Sequence, residues 1–225
     1  MGQTTIKKII AVFEKDVHSE FRSRYAVSAV LLFILTTITI LLIGTKGENI
    51  QPGLAAGFIW IIMFFGSMMG LARVFISEEE RGTSFLLHLS VSSNAVYFGK
   101  LIFNILLSLI LNTIAVLLFF LFITKLPVQL YGIFIWAHIF GSIGIAAAAT
   151  ITSAIISKAN TKGALFPVLA FPIILPLIFI GIEATRIALD GMNSDRAIKD
   201  IQLMFAYCGI VISLSYILFD LVWKD

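Results

Sequence analysis

Few side chains in this chain could do chemistry. Its three histidines, His18, His88 and His138, are far apart, and its single cysteine, Cys208, lies in an apolar run. No spacing among them matches a metal or haem attachment motif, and one cysteine forms no disulfide within a chain. Gly99-Lys100 resembles the end of a phosphate-binding loop, yet Asn94 stands where the first glycine belongs and Leu101 where a hydroxyl residue belongs. The device that cradles ATP phosphates is therefore absent. No G-x-S-x-G elbow or H-E-x-x-H pair occurs either, so no catalytic residue is expected, no metal site, and no cofactor bound directly.

Two patterns remain. Residues 77–90 read SEEERGTSFLLHLS, with Glu78, Glu79, Glu80 and Arg81 in a row, then Gly82, then a short greasy stretch. Phe85, Leu86 and Leu89 fall at i, i+1 and i+4 and make one apolar edge of a helix too short to span a bilayer. Gly82 reads as a joint before it, and Asn94 to Lys100 as the turn into the next span. A wet helix with a greasy edge suits docking into a groove of a soluble protein; the plainer alternative is a solvated loop. The second pattern is Asn104, Ser108 and Asn112 at i, i+4 and i+8, a polar stripe on an otherwise apolar helix. Such groups usually bond across to a neighbouring helix; the rival reading is a polar path for a substrate.

The elements that position these residues follow from composition. Of 225 residues, 59% are hydrophobic and 13% charged, against roughly 25% charged in soluble domains. The net charge of +3 gives no indication of nucleic-acid binding. A helical span needs about 20 predominantly apolar residues, and six stretches qualify: 26–43, 53–72, 101–123, 132–156, 164–182 and 201–222. All must be helices, because lipid offers backbone groups no partner. The expected fold is an all-α polytopic membrane protein of six transmembrane helices. One transmembrane domain covers 1–225, with an interfacial helix at 1–24, a coupling segment between spans two and three at 73–100 and a loop before the last span at 183–200.

Basic residues orient the bundle. Lys7, Lys8, Lys15, Arg22, Arg24, Arg73, Arg81, Lys100, Lys158, Lys162 and Lys224 fall on one side; Lys46, Lys125, Arg186, Arg196 and Lys199 fall on the other. The excess of positive charge places both termini, and the 77–90 segment, in the cytoplasm. In the N-terminal stretch, Ile6, Ile9, Ile10, Phe13, Val17 and Phe21 share a helical face, as in a helix lying along a membrane surface or packed on another subunit.

Small residues at four-residue spacing let helices approach closely: Gly53 and Gly57, Gly66 and Gly70 in the second span, and Ser142, Ala146 and Thr150 in the fourth, which also carries Gly141 and Gly144. Pro167, Pro172 and Pro176 punctuate the fifth span. Each removes a helical hydrogen bond, so this span is expected to be kinked, hinged or re-entrant. No acid or base sits centrally in a span, which argues against a proton relay or an ion-coupled pump.

The order of these features resembles the permease subunits of ABC exporters of the ABC-2 type. More closely, the chain resembles the haem exporter protein B family, CcmB, of the cytochrome c maturation system. PGLAAGFIW, GSIGIAAAATITSAIISKANTKGALFPVLAFP, the Pro172-x-x-x-Pro176 pair and the closing LFDLVWKD carry that match, which covers essentially the whole chain. The resemblance implies a multi-pass subunit of the bacterial inner membrane without ATPase activity. It would dock a separate ABC ATPase subunit through residues 78–89, pair with a second permease copy, and work beside haem-handling membrane partners. ATP would bind the partner, and haem would be cargo of the complex. Trp60, Trp136 and Trp223 are scattered, so no haem ligand is assigned. An exporter of another lipid, peptide or drug, and a non-transporting scaffold remodelled by ATP hydrolysis, stay open as alternatives.

Overall fold

The computed structural model describes residues 2–224 other than 47, 49, 72–74, 76–77, 80–81, 84–86, 88, 124–125 and 158–161. Seven long helices follow in chain order: α1 (Gly2–Ser23), α2 (Tyr25–Thr45), α3 (Pro52–Leu71), α4 (Ser93–Phe122), α5 (Tyr131–Ser157), α6 (Lys162–Asp190) and α7 (Ser194–Lys224). There is no strand among the described residues. Helices α2 to α7 are each long and apolar enough to cross a membrane, as six spans require.

Helix α5 is the centre, packed against α3, α4, α6 and α7. Its run Ala146–Ala149 is fully buried, because four methyl-sized side chains let four helices close around one backbone. Helix α2 lies outside, against α3 and α4. Val30 of α2 packs where Gly66 and Gly70 of α3 leave room: a Cβ on Gly70 would come 3.0 Å from a Val30 methyl. Gly144 likewise accepts Leu177, whose Cδ2 would be 2.5 Å from an added Cβ. Gly57 meets nothing within 4 Å, and Gly53 only the stem of Arg186. The first of the two expected pairs is therefore no close helix contact within the chain.

Trp60 fixes the middle of the bundle. It is 1% exposed, and its Nε1 donates to Thr185 Oγ1 at 2.9 Å. The ring lies against Gly141 of α5 and Gly181 of α6, where an added Cβ would stand 2.7 and 1.9 Å from ring carbons. Only glycine fits either place.

Several expected boundaries move. Residues 94–100, read as a turn, lie in the first two turns of α4 behind an extended Ser92 cap. Thirty residues make α4 about 45 Å long against a hydrocarbon core of about 30 Å, so this end stands at the edge of the apolar layer. The expected loop at 183–200 is almost wholly helical. Arg186 pairs with Glu183 at 2.8 Å and approaches Asp190 at 3.9 Å, and Arg196 reaches Glu183 at 3.3 Å. The two Arg186 pairs, at helical spacing, let the charges continue the helix instead of breaking it, and the Arg196 pair ties the start of α7 to the end of α6. The chain turns only at 191–193, where Gly191 (φ 80) and Asn193 (φ 61) take left-handed backbone.

Helix α6 is continuous through its prolines, so the re-entrant alternative does not hold. Pro172 and Pro176 lie on its exposed face; Pro167 lies in the same helix, its side chain outside what is described. The Tyr207 hydroxyl of α7 donates to the Ile173 carbonyl at 2.6 Å. That carbonyl lies between Pro172 and Pro176, in the turn whose ladder the prolines loosen, and a neighbouring helix supplies it with a further donor.

Candidate functional site

The end of the bundle that carries the 77–90 segment holds the densest polar chemistry. Lys100 of α4 has no exposed surface. Its Nζ lies 3.1 Å from Glu78 Oε1 and 3.3 Å from Asp16 Oδ2 of α1. Lys15 pairs with Glu78 as well, and lies 3.2 Å from Asp16. Two cations and two carboxylates thus close a compact cluster that joins α1, the coupling segment and α4. A lysine buried at the end of a span needs such partners, since an isolated charge there is costly.

Helix α1 reaches the cluster because it lies on α4. Gly99, one residue before the lysine, permits the contact: an added Cβ would stand 2.7 Å from Val12 Cβ and 2.9 Å from the Ile9 carbonyl. The apolar face expected on α1 is therefore split. Val12 is buried and Ile9, Phe13 and Val17 are half-buried, while Ile6, Ile10 and Phe21 are exposed. Glu20 accepts the Val27 N–H at 3.1 Å and so caps the start of α2, where Arg24 has a left-handed φ of 51° and supplies no side-chain cap.

An aromatic group backs the cluster. Phe75 presents its ring 4.7 Å from Lys100 Nζ, a cation–π contact. It also packs on Phe219 at 5.5 Å and Trp223 at 6.5 Å of α7. Its N–H donates to Ser153 Oγ of α5 at 3.3 Å. Ser93, in the first turn of α4, donates to Asp220 of α7 at 2.7 Å. The coupling segment is thus seated on α1, α4, α5 and α7 together.

Glu78 therefore points into the bundle and is 8% exposed, not outward to a partner as expected of a docking residue; burial on Lys100 outweighs solvation. Glu79 is half-buried. Gly82 is more than a joint. The Gly82 N–H bonds the Glu79 carbonyl at 3.1 Å and the Thr83 N–H bonds the Glu78 carbonyl at 3.0 Å. With φ of 66° at Gly82, this is a Schellman C-cap, which fixes where the first turn stops. Beyond it, Leu87 turns partly inward and Leu89 is 72% exposed. Glu80, Arg81, Phe85 and Leu86 lie outside the described residues.

The polar stripe is resolved as an interhelical network. Asn104 Nδ2 donates to Thr150 Oγ1 of α5 at 2.8 Å. Ser108 donates to the Ser142 carbonyl at 3.2 Å, and Asn112 Nδ2 to Ser142 Oγ at 3.1 Å. Ser67 of α3 donates to Asn112 Oδ1 at 3.1 Å. All three stripe residues are at most 2% exposed and bonded to α3 and α5, with the Asn104 Oδ1 alone left buried without a partner, so the stripe lines no open path.

Lys100, Asp16, Lys15 and Phe75 are the residues that motif reasoning missed. The available signal was a lone lysine at the mouth of an apolar span, which calls for a carboxylate partner.

The family model described as CcmB protein matches residues 7–216 of the chain. No curated protein matches it.

Proposed function

The chain belongs to the CcmB protein family, and on that premise we propose that residues 78–89 take up the motion of a separate ATPase subunit and pass it into the helix bundle. Membership makes the chain a multi-pass inner-membrane permease subunit of a haem-export ABC system serving cytochrome c maturation. Both termini face the cytoplasm, a second copy completes the permease, ATP binds the partner subunit, and haem is handled by the complex with its other membrane partners.

One observation supports this reading. On a single short segment, Glu78 is buried against Lys100 and Lys15 while Leu89 is 72% exposed. One end of the segment is anchored on α1 and α4 and the other presents an exposed apolar side chain. A push at Leu89 is then delivered to α1 and α4 through the ion pairs of Glu78 with Lys15 and Lys100. The test is Leu89→Asp with the ATP-binding subunit co-expressed. The expected result is loss of most of the co-purifying ATPase with unchanged membrane insertion. Wild-type recovery would sink the docking assignment.

A second reading is favoured by the closed polar stripe. With Asn104, Ser108 and Asn112 bonded to Thr150, Ser142 and Ser67, cargo does not run along that stripe within one chain. ATP hydrolysis would then remodel a haem-handling complex, or cargo would pass between two copies. Haem uptake by proteoliposomes holding the complete complex separates these outcomes.

A further inference from the structure

Between the C-terminal half of α1 and the coupling segment lies a cleft of about 1010 Å³. Lys15, His18, Ser19 and Arg22 form one wall, at i, i+3, i+4 and i+7 along one helix face. Thr83, Leu87 and Ser90 line the other. Asp16 and Glu78 reach it too, but with Lys15 and Lys100 they make a set of two cations and two carboxylates whose charges cancel. Arg22 adds a cation that forms no ion pair among the described residues. Ser90 is held from behind by α1, its carbonyl accepting from Lys8 Nζ at 3.3 Å. His18 Nδ1 lies 2.9 Å from the Glu14 carbonyl oxygen; a carbonyl only accepts, so Nδ1 carries the proton and Nε2 is left for another group. Phe21, also lining the cleft, is 77% exposed.

We infer that this cleft binds the headgroup of an anionic glycerophospholipid, its phosphate against Arg22 and His18 and its acyl chains leaving over Phe21. A free phosphate shares that chemistry. The volume, however, is at the top of the roughly 300–1,000 Å³ of ligand pockets, far beyond one ion, and Phe21 and Leu87 offer apolar contact that an inorganic anion cannot use. The inference rests on the proposed orientation, which puts this end at the cytoplasmic leaflet with its anionic lipids. A lipid seated there would tie the free edge of α1 to the coupling segment, and so tune the element proposed to receive the ATPase.

The test uses the full chain in a neutral detergent, titrated with phosphatidylglycerol or phosphatidylcholine, with bound lipid counted by native mass spectrometry. Phosphatidylglycerol is expected to be retained in preference, and Arg22→Gln to weaken its retention about fivefold, the worth of one surface cation. His18→Gln should act in the same direction. Lys46→Gln, at the opposite end of α2, should change nothing. Equal retention of the two lipids, or indifference to Arg22→Gln, overturns the inference. Displacement by millimolar inorganic phosphate reassigns the cleft to a free anion and overturns the headgroup. Protection of Ser19→Cys from a soluble thiol reagent by the ATP-binding subunit, and not by phosphatidylglycerol, assigns it to a protein and overturns it likewise. Leu89→Asp reads docking and Arg22→Gln reads lipid, so failure of either leaves the other standing.

Discussion

Lys100 of α4 holds its ammonium 3.1 Å from the carboxylate of Glu78, and neither residue is more than 8% exposed. The pair joins a membrane helix to the segment outside it, and Asp16 completes it from α1 at 3.3 Å. Removing one partner of a buried ion pair leaves the other charge uncompensated, at about 3–5 kcal/mol. Lys100→Ala is therefore expected to lower the melting temperature in detergent by roughly 10 °C. Lys100→Met combined with Glu78→Gln and Asp16→Asn should recover most of that loss, because no fully buried charge is then stranded and Lys15, the cation left, has a side chain 43% exposed to solvent. Equal melting of single and triple variants would contradict the pairing.

Gly82 ends the first turn of the coupling segment with φ of 66°, a conformation costing most L-residues about 1–2 kcal/mol. Gly82→Ala should leave the melting of the bundle nearly unchanged, because the strain is local, yet reduce recovery of the ATPase subunit by shifting the Leu89 edge. Gly82→Asn, which tolerates left-handed backbone, should restore recovery. Identical behaviour of the two variants would mean that the cap geometry is irrelevant to docking.

Gly181 and Gly57 make opposite predictions for one added methyl. A Cβ at Gly181 would lie 1.9 Å from the Trp60 ring, whereas one at Gly57 meets nothing within 4 Å. Gly181→Ala should destabilise by about 3 kcal/mol through overpacking. Gly57→Ala should be neutral or stabilise by up to about 1 kcal/mol, the helix propensity of alanine over glycine. Thermal melts of the purified chain decide both.

Apolar run length determined six helical spans, because in lipid a backbone with no water must bond to itself and only length and composition enter that requirement. The same logic marked 77–90 as a segment that stays outside the membrane, and the small residues Gly66, Gly70, Gly141 and Gly144 as places of close packing. Tertiary structure alone decided what those elements do to each other. The buried cluster brings Lys15 to Glu78 and Asp16 to Lys100, 63 and 84 residues away in the chain, and no local pattern ties a carboxylate to a lysine over that distance. The slot for Trp60 needs glycines on two other helices, one of which, Gly181, has no spacing partner to announce it. Glu78 looked solvated because its sequence neighbours are charged; burial against Lys100 reversed that, since an ammonium already committed to an apolar edge gains more from a carboxylate than water gives it. Charges between spans likewise read as a loop at 183–200, and pairing at helical spacing turned them into the ends of two helices.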